Sequence, residues 1–158
     1  MKILAIDPSS NKHETSTTGV VLLDNATLVN EWVIPFGIEN FKNWFDVTGK
    51  AIECDKVVIE EYTIREGERS RDNSTRDTME FIKECYPNGV IQNNASYETD
   101  IPDDLLKALG LWEFGSSHHN DTRAAARLGL FWAMRNDVQE VVQDIGEKLQ
   151  SYLSKVQE

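Results

Sequence analysis

The stretch Lys2-Ile3-Leu4-Ala5-Ile6-Asp7-Pro8-Ser9-Ser10 drives a compact apolar run straight into an acid, a proline and two serines. An apolar run bounded this sharply by turn residues is a buried strand that stops at its last residue. Here that last residue is a carboxylate. The aspartate interrupts the run too early for a signal peptide, so a strand is the expectation. Thr18-Gly19-Val20-Val21-Leu22-Leu23 follows as a second strand, and Asp24-Asn25 supplies hairpin turn chemistry. Thr27 to Pro35, with Leu28, Val29, Trp32 and Val33, is a third. Links this short favour an antiparallel meander.

The period then changes. Ile38 to Ile52 spaces Ile38, Phe41, Trp44, Phe45, Val47 and Ile52 as a helix does. Lys56 to Tyr62 is a fourth strand, and a strand reached through a helix lies parallel to an earlier one. Thr63 to Asn73 is a charged loop, and Ser74 to Tyr86 is a helix capped by Ser74 or Thr75. Pro87-Asn88-Gly89 turns the chain into a short fifth strand, Val90-Ile91-Gln92. Asp103 to Leu109 is a short helix closed by Gly110, and Gly115 to His119 is a small-residue loop. Asn120 to Arg135 is an Ala-rich helix, and the tail from Asp137 to Val156 continues as an amphipathic helix after a break near Asn136. The order predicts an α/β fold: a five-stranded mixed sheet, with a three-strand antiparallel meander plus two parallel strands, flanked by helices. A length of 158 residues with 40% hydrophobic side chains fits one domain with a real core. Residues 137–158 form its C-terminal helical tail.

Composition narrows the function classes. No apolar run approaches the ~20 residues of a membrane span, so no membrane association is expected. Cys54 and Cys85 lack metal-ligand spacing and read as reduced thiols of a cytoplasmic protein. Acids outnumber bases 27 to 16, for a net charge of -11. Phosphate neutralisation supplies most non-specific affinity for nucleic acid, so this charge argues against promiscuous DNA binding. Any nucleic-acid chemistry must rest on a local site.

Three acids stand where an element delivers a side chain to an edge. Asp7 closes the first strand, Glu60 closes Val57-Val58-Ile59, and Asp121 opens the Ala-rich helix, three residues after His118. Each has an ordinary reading: a turn former in Asp-Pro-Ser, a first exposed strand residue, and a first-turn acid favoured by the helix dipole. Parallel strands, however, end on one sheet edge, where α/β sites form. Asp7 and Glu60 would meet there.

In this combination the chain resembles the RuvC family of Holliday junction resolvases, above all its bacteriophage-encoded relatives. The likeness lies in Lys2-Ile3-Leu4-Ala5-Ile6-Asp7-Pro8-Ser9, in Thr18-Gly19, in Val58-Ile59-Glu60-Glu61, and in His118-His119-Asn120-Asp121-Thr122-Arg123-Ala124-Ala125-Ala126. It covers about residues 1 to 135 in order and spacing. The resemblance implies a ribonuclease-H-like fold whose catalytic and metal-binding residues are Asp7, Glu60, His118 and Asp121. Asp7 would be shared between two Mg²⁺ ions (Mn²⁺ as a substitute), Glu60 would bind one ion and Asp121 the other. His118, three residues before Asp121, would be a ligand or an acid/base, and His119 a loop residue. Two hard cations can activate water and stabilise a leaving oxygen in phosphodiester cleavage.

By the same resemblance, Tyr62 or Ile64 would stand where the family carries an aromatic wedge. Arg65, Arg69, Arg71 and Arg76 would contact DNA, with Lys107 and Arg123 as further candidates. The arginines alternate with Glu66, Glu68, Asp72 and Asp77, so the loop is locally neutral. The helix 74–86, with Met79, Phe81 and Ile82, resembles a dimer helix. The implied protein is a homodimeric endonuclease for branched DNA in the cytoplasm of a phage-infected bacterium. A nuclease for flaps, forks or RNA–DNA hybrids, or a non-catalytic acidic interaction protein, are the alternatives.

Overall fold

The computed structural model describes residues 1–64, 72–115 and 119–157. Five strands form one mixed sheet: β1 (Lys2–Asp7), β2 (Thr17–Asp24), β3 (Thr27–Pro35), β4 (Lys56–Glu60) and β5 (Val90–Gln92). Their spatial order is β3-β2-β1-β4-β5. β1, β2 and β3 form the antiparallel meander, and β4 and β5 join in parallel. This is the expected sheet. Asn25 takes a left-handed φ of 52° in the β2–β3 turn, a conformation asparagine tolerates.

Strand alternation distributes the core between two layers. Leu4, Ile6, Val20, Leu22, Val57 and Ile59 pack with Phe41, Met79 and Ile82. Those three come from α1 (Gly37–Val47) and α2 (Thr75–Cys85). Ile3, Ala5, Val21, Leu23 and Val58 face the other way, under α5 (His119–Arg135) and α6 (Gln139–Val156). β1 is therefore covered on both faces, as a parallel-paired strand requires. α5 approaches closely because Gly129 meets Ala5 and Leu23: a Cβ there would lie 3.2 Å from each. Two short helices, α3 (Tyr97–Asp100) and α4 (Asp103–Ala108), connect β5 to this layer.

Several local expectations change. The helix predicted to reach Ile52 ends at Val47, and Gly49–Ala51 continues as a 3₁₀ turn. The fourth strand stops at Glu60 rather than Tyr62. Ser74 does not cap α2 with its side chain; its hydroxyl instead accepts from the Asn11 amide at 2.9 Å. Asp72 takes over, accepting from the Ser74 amide at 2.8 Å. His119 belongs to the first turn of α5, not to the preceding loop.

The tail packs on its own chain. Val141 and Ile145 of α6 are buried in the core. Asp144 accepts from the Ala26 amide at 2.9 Å, and Glu140 pairs with the N-terminal amine at 2.8 Å. Among the described residues, no helix is long and apolar enough to cross a membrane.

Candidate functional site

Strand register brings the first two acids together. In the parallel β1–β4 pair Ile6 stands beside Ile59, so the next residues, Asp7 and Glu60, leave the same edge as neighbours. On the other side Asp7 pairs with Gly19 of β2. A Cβ added to Gly19 would collide with the Asp121 carbonyl and come within 2.8 Å of the Asp121 Cβ. The first turn of α5 thus rests on bare backbone at Gly19, and it delivers Asp121 to the same corner. The glycine of Thr18-Gly19 acts here by having no side chain.

The electrostatics carry the mark of this crowding. Burial first, then the charge and hydrogen bond of Glu60, then the charge of Asp121, push the Asp7 carboxyl well above the usual carboxylate range. The neighbours are held in turn. Asn94 donates to Glu60 Oε1 at 3.1 Å, and Asn93 to Glu61 Oε2 at 3.0 Å. The Thr17 hydroxyl donates to Asp121. Tyr97 lies close enough that burial, then Glu60 and Asp7, raise its phenol above the ordinary range. Among the described residues, no three His, Cys, Asp or Glu side chains close into a ready-made metal cage. Asp7 and Glu60 form the tight pair, and Asp121 turns toward Thr17.

Asp121 also lines a cavity of about 600 Å³ with Thr15, Ser16, Thr17, His119, Asn120 and Arg123. Glu60 lines a second, of about 340 Å³, with Pro8, Glu61, Tyr62, Thr63, Thr75 and Asn94. Open space therefore flanks the acids on both sides.

The wall beside Asp7 is tied down by a polar cluster. Ser10 donates to Asp72, and the Ser10 hydroxyl accepts from the amides of Lys12 and His13, each at 3.0 Å. His13 Nε2 lies 3.4 Å from Asp72. Hydrogen bonds from Ser10 and Ser74 hold the Asp72 carboxyl down at about 2.

Other candidate residues are spread more widely. His118, Arg65, Arg69 and Arg71 lie outside the described residues. Tyr62 turns inward, with its hydroxyl 2.9 Å from the Asp72 carbonyl and 3.0 Å from Asn73 Oδ1. Ile64 is 40% exposed and faces solvent two residues later. Arg76 is paired with Glu80 at 3.0 Å along α2. Met79 and Ile82, expected at a dimer surface, are buried within the chain, and Phe81 packs edge-on against Phe41. Lys107 and Arg123 both approach the Trp112 ring.

Sequence reading missed Thr17, Asn94 and Tyr97. Asn93-Asn94, directly after the fifth strand and on the edge that carries Glu60, was the available signal for one of them. Thr17 and Tyr97 reach the site only through tertiary contacts.

No family model and no curated protein matches the sequence. Among solved structures, RuvC of T. thermophilus in complex with a Holliday junction substrate is similar, with a TM-score of 0.52 at 15% identity. The match covers 85% of this chain and 96% of that one. At this identity the likeness establishes architecture, and the chain has a RuvC-like, ribonuclease-H-like fold.

Proposed function

We propose that this protein is a divalent-metal-dependent endonuclease for branched DNA, with Holliday junctions as its substrate. The observation that carries the reading is the meeting of Asp7, Glu60 and Asp121 at one corner of a RuvC-like sheet. Asp7 and Glu60 in direct contact, with the charge of Asp121 within reach and the Asp7 carboxyl driven toward its protonated form, make an excess of negative charge that hard cations would neutralise. Asp7 would be shared between two Mg²⁺ ions, with Mn²⁺ as a substitute, Glu60 would hold one, and Asp121 with His118 the other. When bound, such ions supply a hydroxide-like water and stabilise the leaving oxygen.

The chain's own part is positioning. Asn94 fixes Glu60, Thr17 fixes Asp121, and the β1 register fixes Asp7 between them. Open cavities on either side leave room for a strand to cross the acids. Ile64, exposed beyond β4, replaces Tyr62 as the candidate wedge, and Arg65, Arg69, Arg71 and Arg76 would contact phosphates. A homodimer through the helix 74–86 would have to use its outer face, because Met79 and Ile82 are already buried. The sequence resemblance to phage-encoded resolvases supports the proposal that it works in the cytoplasm of an infected bacterium.

A synthetic four-way junction incubated with Mg²⁺ tests the reading, with flap, fork and RNA–DNA hybrid substrates beside it. Symmetric nicking of the junction by the natural chain and none by Asp7→Asn is the expected result. Equal cutting by both proteins sinks the site. Faster cutting of a flap or hybrid changes the substrate. No metal-dependent cutting of any substrate removes the nuclease.

A further inference from the structure

Trp112 lies on the segment between α4 and α5 and is half-buried. The Arg123 guanidinium stacks on its ring at 3.7 Å from the centroid, and Arg123 Nε donates to the Trp112 carbonyl at 2.5 Å. Lys107 places its ammonium 4.7 Å from the same centroid. Among the described residues neither cation forms an ion pair. Two cations thus converge on one aromatic ring in a chain of net charge -11.

Space and position complete the arrangement. Trp112, Lys107, Gly110 and Glu113 line a cavity of about 520 Å³. A side chain at Gly110 would meet nothing within 4 Å, so the approach is open. Arg123 belongs both to this cluster and to the cavity that contains Asp121. The guanidinium that holds the Trp112 ring thus also lines the cavity of Asp121, two residues along α5 from a proposed metal ligand.

We propose that Trp112 is a stacking seat for one unpaired nucleotide of the nucleic-acid substrate. Arg123 would hold the ring in place, and Lys107 would neutralise the phosphate of the seated nucleotide. Every base offers a π-face, so such a seat selects for unpaired structure rather than for sequence. The inference rests on the nuclease reading for its substrate, and it adds that the strand at the Asp121 side is splayed rather than stacked. Glu113 at the cavity rim disfavours a second phosphate there and limits the seat to one nucleotide.

Binding without cleavage tests the seat separately from the chemistry. The full chain in EDTA at low salt is titrated with a fluorescein-labelled four-way junction, an oligothymidylate strand and a blunt duplex. Trp112→Ala should weaken the junction and the single strand about fivefold or more, leave the duplex little changed, and be partly rescued by Trp112→Phe. Lys107→Gln, an exposed change, should lower the slope of log affinity against log salt by about one phosphate contact. Unchanged single-strand affinity in a folded Trp112→Ala overturns the seat. If that variant does not fold, an unchanged salt slope in Lys107→Gln overturns it instead. A natural chain that binds no nucleic acid either in EDTA or with Ca²⁺ ends both this inference and the nuclease reading. Trp112-dependent binding without any metal-dependent cutting ends only the latter.

Discussion

Asp7 shows how one residue changes meaning with its neighbours. In isolation the Asp-Pro-Ser sequence describes a turn. Inside the sheet it puts a carboxylate against Glu60 and within the field of Asp121. Its folded pKa lies above the unfolded value of about 3.9, so this group destabilises the fold progressively as pH climbs from there through the folded value. Asn at position 7 keeps a donor for Glu60 and removes the penalty. In metal-free buffer near pH 7, Asp7→Asn should therefore melt a few degrees higher than the natural chain, since about 1 kcal/mol is worth ~2–4 °C at this size. Adding Mg²⁺ or Mn²⁺ should reverse the ranking. An ion that binds only the folded state stabilises by about 2.7 kcal/mol at a hundredfold excess over its Kd, and the variant lacks the shared ligand. Differential scanning calorimetry with and without Mn²⁺ measures both effects. A natural chain already more stable than Asp7→Asn in EDTA would contradict the crowding argument.

At the scale of elements, the sequence carried the strands and most helices because their signals are local. The apolar runs, the Asp24-Asn25 turn and the break near Asn136 are each written in a few adjacent residues. Asp137 in fact takes a left-handed φ of 50° between α5 and α6. What escaped was set by contacts between distant segments. Ser74 looks like an N-cap, yet its hydroxyl is drawn off by the Asn11 amide, 63 positions away in sequence. α3 begins after Ser96 in a left-handed conformation, which periodicity does not reveal. The site divides the same way: Asp7, Glu60 and Asp121 were legible from strand and helix ends, while Thr17 and Asn94 were not. The junction between the β1–β2 loop and α2 yields a pH prediction. Asp72 is held at about 2 by Ser10 and Ser74, below its unfolded value of about 3.9. Its contribution is therefore present above pH ~4 and is lost as pH falls through about 2. Asp72→Asn should cost about 1 kcal/mol at neutral pH, allowing for solvent screening, and progressively less as pH falls through about 2. Urea denaturation across that range reads the difference, and a pH-independent gap would show that the loss is steric rather than ionic.

The whole molecule sets a problem that the site must solve. A chain of net charge -11 repels a polyanion at long range, and the three converging acids repel it most where contact matters. On the proposed function, affinity for DNA would depend on cations that quench those acids, besides the few basic side chains around the corner. This dependence separates the site's charge from its proposed catalytic role. Glu60→Gln keeps the side chain's size and its contact with Asn94 while removing one charge. In EDTA at low ionic strength it should bind a four-way junction several-fold more tightly than the natural chain. A single charge a few ångströms from a phosphate is worth about 1 kcal/mol in a watery site. The advantage should shrink as salt rises, because the Debye length falls from ~30 Å at 0.01 M to ~8 Å at 0.15 M. With Ca²⁺ present the order should invert, since the natural chain then recruits cations that bridge carboxylates and phosphates, and the variant recruits fewer. Fluorescence anisotropy under these three conditions decides the matter. If Glu60→Gln binds no better than the natural chain in EDTA, repulsion at this corner does not control DNA approach, and the strand must cross the protein elsewhere.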